Sequence, residues 1–227
     1  MISLTVFEFT DMEGKCMSEV TKSPAVQRIE ALLDDNSFVE LGALVTSRNT
    51  DFNLNAKETP SDGVVIGHGL IDGNLVFVYS QDASVLNGTI GEMHARKIVS
   101  IYQKAVKMGA PVIGFIDCAG VRLQESVDAL YGMGEIYQAS VKASGVIPQI
   151  TAIFGQCGGG LSVLPAMSDF TFMSSQASLF FNSPDTLLHN AKDKLDTSAA
   201  KFQYEQTGTV DFVGSEEEVT EKIRQLV

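Results

Sequence analysis

The chain has 227 residues, enough for one substantial domain and short for two. With 44% hydrophobic and 19% charged residues it reads as globular rather than disordered, and a net charge of −12 excludes the basic balance of a nucleic-acid binder. Three scattered cysteines, Cys16, Cys118 and Cys157, form no C-x-x-C pair, which excludes a disulfide framework or zinc ribbon and fits a reducing cytoplasm.

The first segment, 1–22, has little periodicity and reads as an N-terminal arm preceding a single domain at 23–227. It carries no basic region before an apolar run, so it is not a secretory signal. No apolar stretch approaches the roughly 20 residues that span a bilayer, so no direct membrane insertion is expected. Ser23-Pro24 predicts a helix start, with Val26, Ile29, Leu32 and Leu33 at helical spacing until Asp34-Asp35-Asn36. A strand is expected over 38–46 and a polar loop over 49–63. Two strands, 64–71 and 75–80, are joined by the turn residues Asp72-Gly73-Asn74.

Strand and helix then alternate. A helix over 91–108 places Met93, Ile98, Ile101, Tyr102 and Ala105 on one stripe. A strand follows at 111–116, a mostly helical stretch at 124–145, and a strand at 149–154 that leads into the glycine-rich 155–160 and a short helix. Further strands are expected at 169–173, 178–181 and 209–213, with a helix at 197–206. Ser215 and Glu218 form a capping box for a last helix over 216–226. This alternation predicts an α/β fold with crossover units and a helix-covered sheet.

Several motifs fail on inspection. Gly67-His68-Gly69 lacks the third glycine of a dinucleotide fingerprint and precedes a hairpin rather than a helix. Gly14-Lys15 lacks the upstream glycine of a phosphate loop, and Ser162 has no nucleophile elbow. Ser198 and Lys201 are spaced like a Ser-Lys pair, a spacing common by chance. His68, His94 and His189 show no metal-ligand spacing; His94 alone lies close to a candidate substrate loop.

Two strand-to-helix loops carry the chemistry: 117–125, DCAGVRLQE, and 155–160, GQCGGG. Glycines after a strand let a ligand approach the backbone, and a helix start offers unpaired N–H groups. Two such loops on neighbouring strands can aim two N–H groups at one oxygen, as an oxyanion hole does. Taken one loop at a time, tight turns and close helix–sheet packing are the better account of the glycines.

The segments RIEALLDDNSFVELGALVTSR, SDGVVIGHGLIDGNLVFVYSQD, NGTIGEMHARKI, GAPVIGFIDCAGVRLQESVDAL, GVIPQITAIFGQCGGG and TGTVDFVGSEEEV resemble, in order and spacing from Arg28 onward, the N-terminal lobe of the carboxyltransferase component of biotin-dependent acyl-CoA carboxylases and decarboxylases. The resemblance implies a crotonase-like superhelix of ββα units that binds a CoA thioester. Its enolate would be held by backbone N–H groups at Gly120, Val121, Gly159 and Gly160. Asn87, Gly88, Ala119, Arg122 and Gly158 would contact the substrate. For Arg122 two roles stand open, contact with the acyl group or fixing of the loop through Glu125 or Asp117.

The basic residues Arg96, Lys97, Lys104 and Lys107 are expected on a solvated helix face. The resemblance further implies biotin on a partner carrier protein, a C-terminal-lobe carboxyltransferase subunit as second partner, and a cytoplasmic hetero-oligomer, because the chain ends where the family's first lobe ends. Two alternatives are a malonyl-thioester decarboxylase β-type subunit working without biotin, which VRLQE also resembles, and a non-catalytic acyl-CoA-binding or assembly subunit. The chain departs from the family where Cys118-Ala119-Gly120 replaces Ser-Gly-Gly, and after Pro184-Asp185, where TLLHNAKDKLDTSAA replaces Thr-Gly-Glu and Gly-Gly-Ala segments.

Overall fold

The computed structural model describes residues 22–49, 59–183, 186 and 195–227. The expected arm (apart from Lys22), most of the expected 49–63 loop, His189 and most of the departure after Pro184 lie outside the described residues.

Helix α1, Pro24–Leu32, starts as its sequence predicts: Pro24 takes the first turn and the Ser23 Oγ accepts the Val26 N–H at 3.4 Å. Strand β1 is only Val39–Leu41, shorter than the expected 38–46, because the chain turns at Gly42 with φ 65°. Strands β2, Val64–Ile71, and β3, Asn74–Gln81, pair antiparallel. Asp72 (φ 48°) and Gly73 (φ 82°) are both left-handed, which matches the right-handed twist of the two strands.

From β3 onward every step returns in parallel. Helix α2, Glu92–Met108, leads to β4, Val112–Cys118; helix α3, Ser126–Ala143, to β5, Gln149–Gly158; helix α4, Val163–Met167, to β6, Phe170–Ser174. After β7, Ser178–Phe180, the expected 197–206 helix is α5, Ala200–Phe202, continued by a π turn over Gln203–Thr207. Strand β8, Phe212–Gly214, and helix α6, Glu216–Leu226, follow. The sheet order is β1-β2-β3-β4-β5-β6-β8, with β7 paired to the outer half of β5.

That pairing corrects the expected 155–160 loop. Gln156, Cys157 and Gly158 oppose Ser178, Leu179 and Phe180, so they are strand, and only Gly159 and Gly160 lie beyond it. Along β4 the side chains alternate between two cores. Val112 and Ile116 join Ile98, Ile101, Met133 and Ile136 under α2 and α3, whereas Ile113 and Phe115 join Ile29, Leu32, Val219 and Ile223 under α1 and α6. Each such buried aliphatic side chain contributes about 2 kcal/mol. Both faces of the parallel part are covered, and the C-terminal ends of β3, β4 and β5 open at one edge.

Candidate functional site

Three chain segments meet at that edge. The first is a tight turn, Leu86–Gly88, in which Asn87 and Gly88 have φ 55° and 63°. A Cβ at Gly88 would lie 2.1 Å from the Asp117 carbonyl oxygen, so only glycine lets this turn approach the end of β4. The second segment, 119–125, is tied to the first. Ala119 donates its N–H to the Asn87 carbonyl at 3.1 Å, Ile90 donates to Gly120 at 2.9 Å, and Arg122 donates to Ile90 at 2.9 Å.

Val121 sits between the two bonds of this parallel bridge, so its own N–H and C=O point away from Ile90, toward the side where β5 ends. The third segment, Gly158-Gly159-Gly160, ends β5 and opens a 3-10 turn, Gly159–Ser162. Its first N–H groups find no acceptor within the turn. Its carbonyls are tied back: Ser162 Oγ donates to Gly159 O at 2.8 Å, and the Tyr137 hydroxyl donates to Gly160 O. A Cβ at Gly158 would lie 3.2 Å from the Ala119 carbonyl, which shows how closely the second and third segments approach.

The four expected donors are therefore brought to one edge but are not equivalent. The Gly120 N–H lies 3.3 Å from the Cys118 Sγ, a weak acceptor, whereas Val121 is among the residues that line a cavity of about 680 Å³, and Gly159 and Gly160 are not. Asn87, Thr89, Ala119, Leu123 and Gln124 line the same cavity. Burial pushes the Cys118 thiol up to about 12, so it stays neutral and is no nucleophile at ordinary pH. Gly88 and Gly158 act behind the cavity as close-approach points rather than on its lining.

Beneath the loop lies a buried polar cluster. Arg122 is 1% exposed, and its Nη1 donates to Asp62 Oδ1 at 2.6 Å and to Glu125 Oε1 at 2.7 Å. Its Nη2 donates to the Thr89 carbonyl at 2.8 Å. Of the two roles open to Arg122, these contacts describe loop fixing; a guanidinium so enclosed does not reach the cavity. Glu125 also accepts the Glu92 N–H at 2.7 Å, capping α2.

Asp62 Oδ2 accepts the His94 N–H at 2.8 Å, and the Asp62 carbonyl lies 2.9 Å from His94 Nδ1. Nδ1 must then carry the proton, so Nε2 accepts from the Gln81 amide at 3.1 Å. Burial, then the charge of Arg122, lowers the ring to about 3, which keeps it neutral. His94 is thus a structural residue of the cluster.

Lys97 departs from the expected solvated face. It is 5% exposed and donates to the carbonyls of Ser61, at 2.9 Å, and Val64; burial lowers it to about 8. Asp62 was not anticipated at all. Its sequence neighbours read as a turn, and its ion-pair partner lies 60 residues away.

A family model described as "Carboxyl transferase domain" matches residues 19–227. The methylmalonyl-CoA decarboxylase subunit alpha of Veillonella parvula is 49% identical over 160 residues, 70% of this chain and 31% of that protein. The propionyl-CoA carboxylase carboxyltransferase subunit of Haloferax mediterranei is 40% identical over 91% of this chain and 41% of that protein.

Among solved structures, transcarboxylase 12S, a hexamer and multienzyme core with hydrolysed methylmalonyl-CoA bound, superposes with a TM-score of 0.85 at 36% identity, over 89% of this chain and 41% of that one. A Pseudomonas malonate decarboxylase hetero-tetramer in complex with malonate gives a TM-score of 0.75 at 23% identity, over 89% of this chain and 79% of that one, a likeness of fold alone. The chain spans about a third to two fifths of the length of the curated relatives cited.

Proposed function

Because the chain belongs to the carboxyl transferase domain family, whose crotonase-like fold it has, we propose that it forms the acyl-CoA side of a biotin-dependent carboxyltransferase or decarboxylase. The single observation that carries this reading is the close approach of the two glycine-bearing segments at the ends of β4 and β5, where a Cβ at Gly158 would lie 3.2 Å from the Ala119 carbonyl and one at Gly120 3.5 Å from the Gly158 carbonyl. We divide the chain into an arm at 1–22 and a carboxyltransferase lobe at 23–227.

Removing or adding CO2 at the α-carbon of a CoA thioester passes through an enolate. We assign the thioester oxygen to N–H groups of Val121 and of Gly159 or Gly160, with Gly120 holding the first segment in place. One such donor in a water-poor site is worth roughly 3–4 kcal/mol of transition-state stabilisation. Asn87, Thr89 and Ala119 form the wall along which the CoA chain runs. Arg122, Asp62, Glu125 and His94 act below, keeping the loop rigid so that its donors need no reorganisation.

Biotin, when bound, supplies a nitrogen that carries the carboxyl group. The space over Gly159, where a Cβ would meet no atom of the described residues within 4 Å, admits such a group from outside, and no residue of this chain is assigned to hold it. A carrier protein and a C-terminal-lobe subunit complete the proposed hetero-oligomer; the description of the relatives as subunits and chains supports a multi-subunit enzyme. Among the described residues no helix is long and apolar enough to cross a membrane. We place the enzyme in a reducing, cytoplasmic compartment, a reading that the buried free thiols of Cys118 and Cys157 support.

The test is turnover of methylmalonyl-CoA by the enzyme purified intact, with and without avidin. Avidin-sensitive release or transfer of the carboxyl group is expected. Avidin-insensitive decarboxylation of a malonyl thioester would replace this reading with the biotin-free one, and tight CoA binding without turnover would favour the binding subunit.

A further inference from the structure

The ladder between β4 and β5 breaks at one place. Ile116 opposes Ile153, but Cys118 opposes Cys157, so β5 takes four steps where β4 takes two. Asp117 sits opposite this irregularity. Its Oδ1 accepts the Gln156 N–H at 3.3 Å, a donor within the bulged stretch. A Cβ at Gly155 would lie 1.9 Å from that same oxygen, so the glycine makes room for the carboxylate. The Asp117 N–H donates to Gln81 Oε1 on β3 at 3.3 Å.

Arg28 reaches Asp117 from α1, on the face of the sheet opposite α2 and α3. Its Nη1 donates to Asp117 Oδ2 at 3.1 Å, its guanidinium lies 5.2 Å over the Phe154 ring, and Glu216 at the start of α6 grips its Nε and Nη2 at 3.2 and 3.1 Å. The Arg28 and Asp117 side chains are only 15% and 18% exposed. The carboxylate therefore bridges the ends of β4 and β5 immediately before the two segments that carry the donors, and Arg28 fixes the carboxylate.

The geometry points to Asp117 and Arg28 as positioning residues for the reaction proposed above. Their ion pair sets how far the end of β5 runs past the end of β4, and so the distance between the Val121 and Gly159-Gly160 N–H groups. The inference rests on the reading of those groups as enolate donors. Neither side chain lines the CoA cavity, so the pair acts through the loops and not on the substrate.

The test compares two probes on the intact enzyme: propionyl-CoA as ground-state ligand, and a nitronate-bearing CoA thioether whose charged oxygens mimic the enolate. Wild type should bind the nitronate more tightly. Asp117→Asn removes the ion pair and leaves one of the two donors, the guanidinium or the Gln156 N–H, facing an amide N–H. It should lower the nitronate preference and kcat together, by about tenfold to a hundredfold, with KM changed by less than about threefold.

Arg28→Gln, which leaves the bond to Gln156 in place, should do the same and serves if Asp117→Asn does not fold. Arg28→Lys should recover part of the loss. Folded variants that keep the wild-type preference and kcat would overturn the positioning role while leaving the function intact. A wild type with no nitronate preference would overturn the enolate reading itself.

Discussion

His94 is a buried imidazole whose two nitrogens are both committed, one to a carbonyl and one to an amide. In the unfolded chain its pKa is about 6.5; in the fold it is about 3. The unfolded state therefore takes up a proton first as the pH falls. The stability that neutral His94 contributes is complete above about pH 6.5 and is lost toward pH 3, at up to roughly 1.4 kcal/mol per pH unit. Urea unfolding at pH 7 and pH 5 should show this loss in wild type and a flatter dependence in His94→Gln; equal slopes would contradict the assignment.

Gly159 offers a second test at this scale. Its φ of 62° strains both alanine and proline, but alanine keeps the N–H and its Cβ meets no described residue within 4 Å. Gly159→Ala should lose about 1 kcal/mol of stability and retain most turnover, whereas Gly159→Pro should lose a further 10²–10³-fold in kcat, roughly the effect of one lost donor. Similar kcat values in the two variants would remove Gly159 from the donor set.

The glycines of both loops were legible in the sequence because close backbone approach demands them locally. Asp62 and the inward turn of Lys97 were not. Their partners are set by tertiary packing, and a local reading of Ser61-Asp62-Gly63 sees only a turn.

At the scale of elements, local chemistry was a good guide wherever it acts within a few residues. The capping box of α6 is present in full: Ser215 Oγ accepts the Glu218 N–H at 3.2 Å, and Glu218 accepts the Ser215 N–H at 2.8 Å. Ser215→Ala should cost about 1 kcal/mol, read as a lowered thermal midpoint with little change in kcat. Ile223→Ala on the same helix, at a fully buried position, should cost about 2–5 kcal/mol. A loss for Ile223→Ala no larger than that for Ser215→Ala would mean that α6 contributes little to the second core.

Strand lengths were the weak point. β1 stops early at a left-handed glycine, and β5 runs on through residues that read as loop because β7, far along the chain, supplies its ladder. Nothing in GQCGGG by itself announces that partner. The contact of Arg28 with Asp117 is equally invisible locally, since it joins residues 89 apart on the α1 face of the sheet.

For the whole molecule, the alternation of strand and helix was enough to expect a covered parallel sheet, and the ordered segments from Arg28 onward were enough to expect the family. Neither could place the Val121 and Gly159-Gly160 segments against each other; that depends on the irregular pairing of β4 with β5. The proposed assembly predicts that native purification recovers this chain with a second carboxyltransferase-like polypeptide and a biotinylated protein, by mass spectrometry and streptavidin blot. Recovery with neither would remove the biotin-dependent reading.

Where the thioester sits is decided by a structure of the intact enzyme with bound methylmalonyl-CoA. The thioester oxygen should lie about 2.7–3.1 Å from one N–H of the Val121 segment and one of the Gly159-Gly160 turn, with the CoA chain running past Asn87 and Thr89. A thioester bound elsewhere, or one with its oxygen turned away from both segments, would rule out these N–H groups as the enolate donors.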